Sequence, residues 1–147
     1  MAGAIVIRNL PVVLAGLNAT EKQMDFAAKY AISMAGYEVE RQAKLNANGP
    51  TRKRIKGTLE PRKPSVGPNT ITGNLKRSIF STVRIGFGTY IAEVGASMEY
   101  SRQVELGGGN WPSGVKYPFI TPAVEKLRNS GKLSRTFTMA FASKLRG

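Results

Sequence analysis

Between Glu21 and Leu45, small or apolar residues recur at Met24, Ala27, Ala28, Ala31, Met34, Ala35 and Val39, the spacing of one helical face. Thr20 precedes this run with Gln23 three positions on, as in a capping box, and Glu21 and Asp25 fall in the first turn, where the helix dipole favours negative charge. The pattern predicts a helix over 21–45, closed by Asn46-Ala47-Asn48-Gly49-Pro50, whose proline lacks an N–H. Its alanines permit close approach of a neighbour, whether an ordinary core element or another subunit. Further on the period changes to two: Ile79, Ser81, Val83 and Ile85 alternate with Phe80, Thr82 and Arg84, Tyr90 to Val94 is again strand-like, and Gly86-Phe87-Gly88-Thr89 has the length of a hairpin connection. Helical spacing returns at Leu133, Phe137, Ala140, Phe141 and Leu145, opened by Thr121-Pro122 as a cap followed by proline at the first helical position, and kinked or divided at Asn129-Ser130-Gly131.

Weaker patterns fill the gaps. Ala4 to Ile7 reads as a short extended piece, followed by a turn at Asn9-Leu10-Pro11 and one or two helical turns through Val12, Val13, Leu14 and Leu17. Thr72 to Ile79 reads as a short helix or turn with Thr72 as cap and Gly73 supplying backbone freedom. Met98 to Leu106 is a short helix with Tyr100, Val104 and Leu106 turned inward, stopped by Gly107-Gly108-Gly109. A loop at 110–114 holds Trp111, whose default is packing, and Tyr117 to Ile120 is expected as a third strand. The fold expected is α+β, a small antiparallel sheet packed against a long N-terminal helix and a C-terminal helix. It forms one domain over 1–147, with an extension at 1–19 and a long basic loop inserted at 49–72.

That loop is where composition changes the picture. Arg52, Lys53, Arg54, Lys56, Arg62 and Lys63 are mixed there with Pro50, Pro61, Pro64 and Pro68. A segment so poor in apolar surface is expected to be a mobile loop or hairpin until something holds it. It contributes to a net charge of +13 at pH 7 and a pI near 10.4, which call for an anionic partner: DNA, an acidic protein surface or phospholipid head groups. With 147 residues and 41% hydrophobic content the chain is the size of one soluble domain. No apolar run approaches the roughly 20 residues that span a bilayer, and the basic-then-apolar order of a secretory signal is missing at the start.

The chain has no cysteine and no histidine, so disulfides, thiolate or imidazole metal sites, cysteine nucleophiles and histidine-based triads are excluded. The nine acidic residues are scattered, without the spacing of a calcium loop or a carboxylate metal cluster. The glycine run at 107–109 lacks the context of a phosphate cradle and reads as a connection; Gly86, Gly88 and Gly95 read as hairpin and turn residues. Lys76 and Ser78 have no oriented relay beside them. No catalytic residue, metal or cofactor is expected.

Four segments stand in an orderly succession: Thr72-Gly73-Asn74-Leu75-Lys76-Arg77-Ser78-Ile79, then Val94-Gly95, then Tyr100-Ser101-Arg102-Gln103-Val104-Glu105-Leu106-Gly107, then Tyr117-Pro118-Phe119-Ile120-Thr121-Pro122-Ala123. In this order they resemble the neck or tail-completion (head-tail joining) proteins of long-tailed bacteriophages, over about residue 20 to the C-terminus. The long connection at 49–72 departs from that pattern, where it is usually much shorter. The resemblance implies a structural virion protein, made in the host cytoplasm and located at the neck. It would form or cap a ring between head connector and tail around the DNA channel, six-fold by preference or twelve-fold. Its neighbours would be the head connector and the tail terminator or tail tube, with no membrane partner. Thr72, Gly73, Leu75, Ser78, Ile79, Tyr100, Val104, Glu105, Gly107, Pro118, Phe119 and Pro122 would then be motif residues that define the fold.

Arg52, Lys53, Arg54, Lys56, Arg62 and Lys63 are the candidates for contact with packaged double-stranded DNA or with an acidic rim on a partner. Aromatic residues are absent from Gly49 to Ile79, which argues against stacking on single strands. The alternative is a stand-alone, nonspecific nucleic-acid-binding protein using the basic loop and the basic C-terminal helix.

Overall fold

The structure, a computed structural model, describes residues 2–8, 21–61, 67–86, 88–108 and 115–146. The expectations for 9–20, for Arg62 and Lys63 and for the loop around Trp111 lie outside these residues. In chain order the elements are β1 (Ala2–Arg8), α1 (Glu21–Asn46), β2 (Arg54–Ile55), β3 (Thr58–Leu59), α2 (Asn74–Ser78), β4 (Ile79–Gly86), β5 (Thr89–Ala96), α3 (Ser101–Leu106), α4 (Thr121–Asn129) and α5 (Lys132–Arg146). The architecture is α+β: a three-stranded antiparallel sheet ordered β1-β5-β4 with α1 and the C-terminal helices, plus the small hairpin β2-β3.

The long helix forms where its periodicity predicts. Ala27, Ala31, Ala35, Val39 and Ala43 follow one another four residues apart and are all buried, with Ile32 and Gly36 beside them. The small side chains let the backbone settle on the sheet, and a Cβ at Gly36 would stand only 3.0 Å from that of Ala92 on the central strand. On its other flank α1 receives α5, which inserts Phe137 and Phe141 as a stacked pair with centroids 5.9 Å apart. A second apolar cluster around Val39, Ala43, Leu75, Ile79, Val104, Phe119, Ile120 and Leu127 joins the far end of α1 to α2, α3 and α4.

The hairpin β4-β5 pairs in register from Ile79↔Ala96 to Gly86↔Thr89. Its third partner differs from the expectation. Tyr117 to Ile120 form no strand; the N-terminal piece supplies it instead, with β1 pairing along β5 from Ala2↔Ala96 to Arg8↔Ile91. The 117–120 segment cannot join the sheet because its backbone is committed elsewhere: Tyr117 N–H donates to the Val104 carbonyl at 2.7 Å, and Phe119 and Ile120 donate to a side chain described below.

Helix ends and faces also differ from the pattern expected. Gly73, not Thr72, is the N-cap of α2; the Thr72 hydroxyl lies 3.4 Å from Asn74 N, and the Arg77 guanidinium clamps the turn by donating to the Thr72 carbonyl at 3.0 Å. Thr121 is the first residue of α4 rather than its cap, Ile120 holds the cap position, and Pro122 is therefore the second helical residue rather than the first. In α3 only Val104 of the three expected residues turns inward. Tyr100 is 37% exposed and Leu106 57%, because the buried positions beside Val104 go to Ser101 and Glu105. The C-terminal helical run is divided at Ser130-Gly131, as its sequence predicts.

Candidate functional site

The chemistry of this protein concentrates where the sequence motifs meet. Glu105, on α3, is 4% exposed and points its carboxylate at the start of α4. One oxygen accepts from Phe119 N–H at 2.7 Å and Ile120 N–H at 3.0 Å; the other accepts from Thr121 N–H at 2.7 Å and from the Thr121 hydroxyl at 2.6 Å. A helix N-terminus leaves its first N–H groups without intrahelical partners and carries partial positive charge, so a buried carboxylate there is held by charge-assisted bonds. The carbonyl of the fully buried Phe119 accepts from the Asn46 side chain at 2.9 Å, and Asn46 in turn accepts from Gln42 at 3.0 Å. Side chains from α1 and α3 therefore satisfy both backbone groups of Phe119.

Gly107 ends α3 with φ 76° and cannot carry a side chain, since a Cβ would stand 2.8 Å from the Val115 carbonyl oxygen. Pro122 occupies the first turn of α4, where its missing N–H leaves no gap. Leu75 and Ile79 are buried in the same cluster, and Ser78 donates to the Leu75 carbonyl at 2.8 Å. Pro118 is half-buried just before this joint.

Beside the joint lies a cleft of about 600 Å³. Ala47, Leu75, Val104 and Pro68 are buried apolar residues among those described around it; Pro68 to Lys76 line one side, and Tyr100, Val115 and Tyr117 also border it. Thr72, Gly73, Asn74, Leu75, Tyr100, Val104 and Tyr117 thus bring three of the four sequence motifs to one surface. The charge is one-sided. Arg52 and Lys76 line the cleft, Lys44 and Arg77 border an adjoining recess that shares Gly73 and Lys76, and the sequence has no acidic residue from 61 to 92 or from 106 to 124. The Thr70 hydroxyl is buried with no hydrogen-bond partner among the described residues.

The basic segment divides into parts. Its base is pinned: Arg52 N–H donates to the Thr70 carbonyl at 2.8 Å, and Thr70 N–H to the Pro50 carbonyl at 3.1 Å. A Cβ at Gly49 would stand 2.2 Å from the Pro68 carbonyl oxygen, and one at Gly67 2.4 Å from that of Asn46. Arg52 is partly buried and serves the fold, its Nε donating to the Glu60 carbonyl at 2.8 Å. Lys53, Arg54 and Lys56 are exposed on the hairpin, which turns through Lys56-Gly57, both at positive φ.

Several carboxylates that could offset this charge are engaged within the fold. Lys132 donates to Glu38 at 2.9 Å and, together with Arg41, holds its carboxyl below the ordinary value against the opposing effect of burial. Burial works against the charge of Glu40, yet donation from Lys44 and Ser81 outweighs it and leaves that carboxyl lowered too. Glu93 pairs with Arg84, and Asp25 accepts from the Tyr90 hydroxyl, whose pKa it raises.

The motif residues were named from the sequence, but the joint was not, because a carboxylate capping a helix 16 residues downstream leaves no periodic signal. Asn46, Gln42 and Thr70 were missed as well; Asn46 read only as a helix stop. Among the described residues no group of three His, Cys, Asp or Glu side chains could hold a metal ion, and no helix is long and apolar enough to cross a membrane. Comparison of the chain with protein-family models, with curated proteins and with solved structures found no match.

Proposed function

We propose that this chain is a structural virion protein of the neck or tail-completion type, forming or capping a ring that joins the head connector to the tail of a long-tailed phage. The observation that supports it is the convergence of the motif segments. The Tyr100–Gly107 and Tyr117–Ala123 segments are locked together by Glu105, and TGNL, some fifty residues from the end of the last, meets them at the cleft beside that joint. The role asked of them is recognition and assembly, with no reaction. Ring closure needs two different surfaces on each copy meeting head to tail. The exposed cations Lys53, Arg54 and Lys56 would face packaged DNA or an acidic rim of a neighbour.

The test is negative-stain microscopy of particles from a source virus whose copy of this gene is disrupted, with complementation as control. Filled heads accumulating apart from finished tails support the joining role, and overlong tails would assign a terminator instead. Normal joined particles would overturn the reading and leave the second one, a nonspecific nucleic-acid-binding protein, which the one-sided charge favours.

A further inference from the structure

We propose that the cleft beside α2 and α3 is a docking groove for an extended peptide segment of a neighbouring protein, one that presents an apolar side chain flanked by a carboxylate. The identity of that neighbour rests on the neck reading; the chemistry of the groove does not. Four observations carry it.

The volume, about 600 Å³, lies in the range of sites that bury a ligand, and Ala47, Leu75 and Val104 offer it apolar surface. An apolar side chain seated on them would be removed from water, which is the main driving force for such docking. Tyr100, which lines the groove and is more than one-third exposed, adds an aromatic contact of the kind enriched at interfaces.

Charge then selects the occupant. Lys76 and Arg52 line the groove, Arg77 borders the recess beside it together with Lys44, which is itself paired with Glu40, and the stretches that supply most of the lining contain no carboxylate in the sequence itself. Arg52 is tethered to the Glu60 carbonyl, so among the described residues that line the groove Lys76 is the cation placed to meet an incoming carboxylate. An acidic segment is steered toward such a surface and a basic one is repelled.

The Thr70 hydroxyl supplies the independent sign of a missing partner. A buried hydroxyl without a hydrogen bond is unfavourable in the free protein, and because Thr70 lines the groove, a turn about its Cα–Cβ bond would bring that hydroxyl to an incoming carbonyl or carboxylate oxygen. Polar groups lie beside apolar surface, as suits a peptide carrying both. A polar metabolite would leave the apolar residues without a counterpart.

The test selects a displayed library of random heptapeptides on the immobilised full chain, then measures binding of the enriched synthetic peptide by fluorescence anisotropy. The expected peptides combine Asp or Glu with an adjacent aromatic or aliphatic residue. Lys76→Glu is expected to weaken the selected peptide at least tenfold, whereas Lys126→Glu, an equal charge change at an exposed site on α4, weakens it less than twofold. Thr70→Val is expected to leave the free protein as stable or more stable in urea while weakening the peptide about threefold to tenfold. This pairing separates a lost ligand contact from a damaged fold. Peptides lacking acidic residues, or equal losses for Lys76→Glu and Lys126→Glu, would overturn the proposal. So would duplex DNA displacing the peptide while showing the same dependence on Lys76, since the groove would then be a nucleic-acid surface. Because the assay uses the isolated chain, it can fail while particle assembly supports the neck role, or succeed while it does not.

Discussion

Glu105 and Thr121 share two hydrogen bonds to a single carboxylate oxygen, one from the Thr121 backbone at 2.7 Å and one from its hydroxyl at 2.6 Å. The second oxygen serves Phe119 and Ile120. Four donors therefore converge on one buried charge that arrives from another helix. In Glu105→Gln the amide nitrogen would confront N–H groups in place of an acceptor. We expect a loss of about 2–3 kcal/mol, the scale of charge-assisted bonds broken with donors left buried. Thr121→Val, which removes one donor and leaves the carboxylate its other three, should lose about 1 kcal/mol. Urea denaturation of both variants checks the order, and equal losses would contradict it.

Gly49→Ala tests the pinned base of the basic excursion. Its Cβ would meet a backbone oxygen at 2.2 Å, and backbone cannot rotate away as a side chain does. A cost of about 1–3 kcal/mol is expected from overpacking. Hydrogen exchange should rise first at the Arg52 and Thr70 amides, which bond across that base. Unchanged protection there would show that the two strands of the base are held by something else.

The pair Glu38 and Lys132, which ties the start of α5 to α1, gives a pH prediction. The carboxyl of Glu38 is held below its ordinary value of 4.5, chiefly by the Lys132 hydrogen bond. A depressed folded-state pKa contributes stability that is present above the unfolded value and disappears as pH falls through the folded one. A double-mutant cycle with Glu38→Gln and Lys132→Ala should give a coupling of about 0.5 kcal/mol at pH 7, discounted for an ammonium 40% exposed. The coupling should vanish as Glu38 protonates below 4.5. A coupling that persisted in acid would mean the two residues interact by packing.

Replacing Lys53, Arg54 and Lys56 together by Ser should leave the urea midpoint almost unchanged, since all three side chains are exposed. If these residues contact duplex DNA, the log-log salt dependence of binding should become shallower by up to about 2.7, at roughly 0.9 per phosphate lost. An unchanged slope with impaired head-tail joining would assign the hairpin to an acidic protein rim.

The sequence made the large elements legible because their apolar periods are long. α1 begins where predicted and ends one residue beyond its expected C-terminus, the β4-β5 hairpin forms with pairing that runs one residue further at each side, to Gly86↔Thr89, and the C-terminal helical run breaks at Ser130-Gly131. Failures came where partners are distant in the chain. Tyr117 to Ile120 looks like a strand by composition, yet Val104 and Glu105 take its amides. Thr72 and Thr121 have the chemistry of caps, yet Gly73 and Ile120 occupy those positions. Leu106 fits an inward helical position, but α3 turns its buried carboxylate inward instead. The cleft was illegible for the same reason: its lining comes from segments whose individual patterns speak only of turns and short helices.

The placement of β1 bears on synthesis. About ninety residues separate Ala2 from its partner Ala96, so at roughly 5–20 residues per second β1 waits about 5–20 seconds for β5 to be made. The local pair β4-β5 closes early by comparison, and until β1 docks it presents the flank of β5 as an open template. A crowd of nascent chains thus carries its greatest risk of pairing with one another in the interval before each N-terminal segment claims its own place in the sheet.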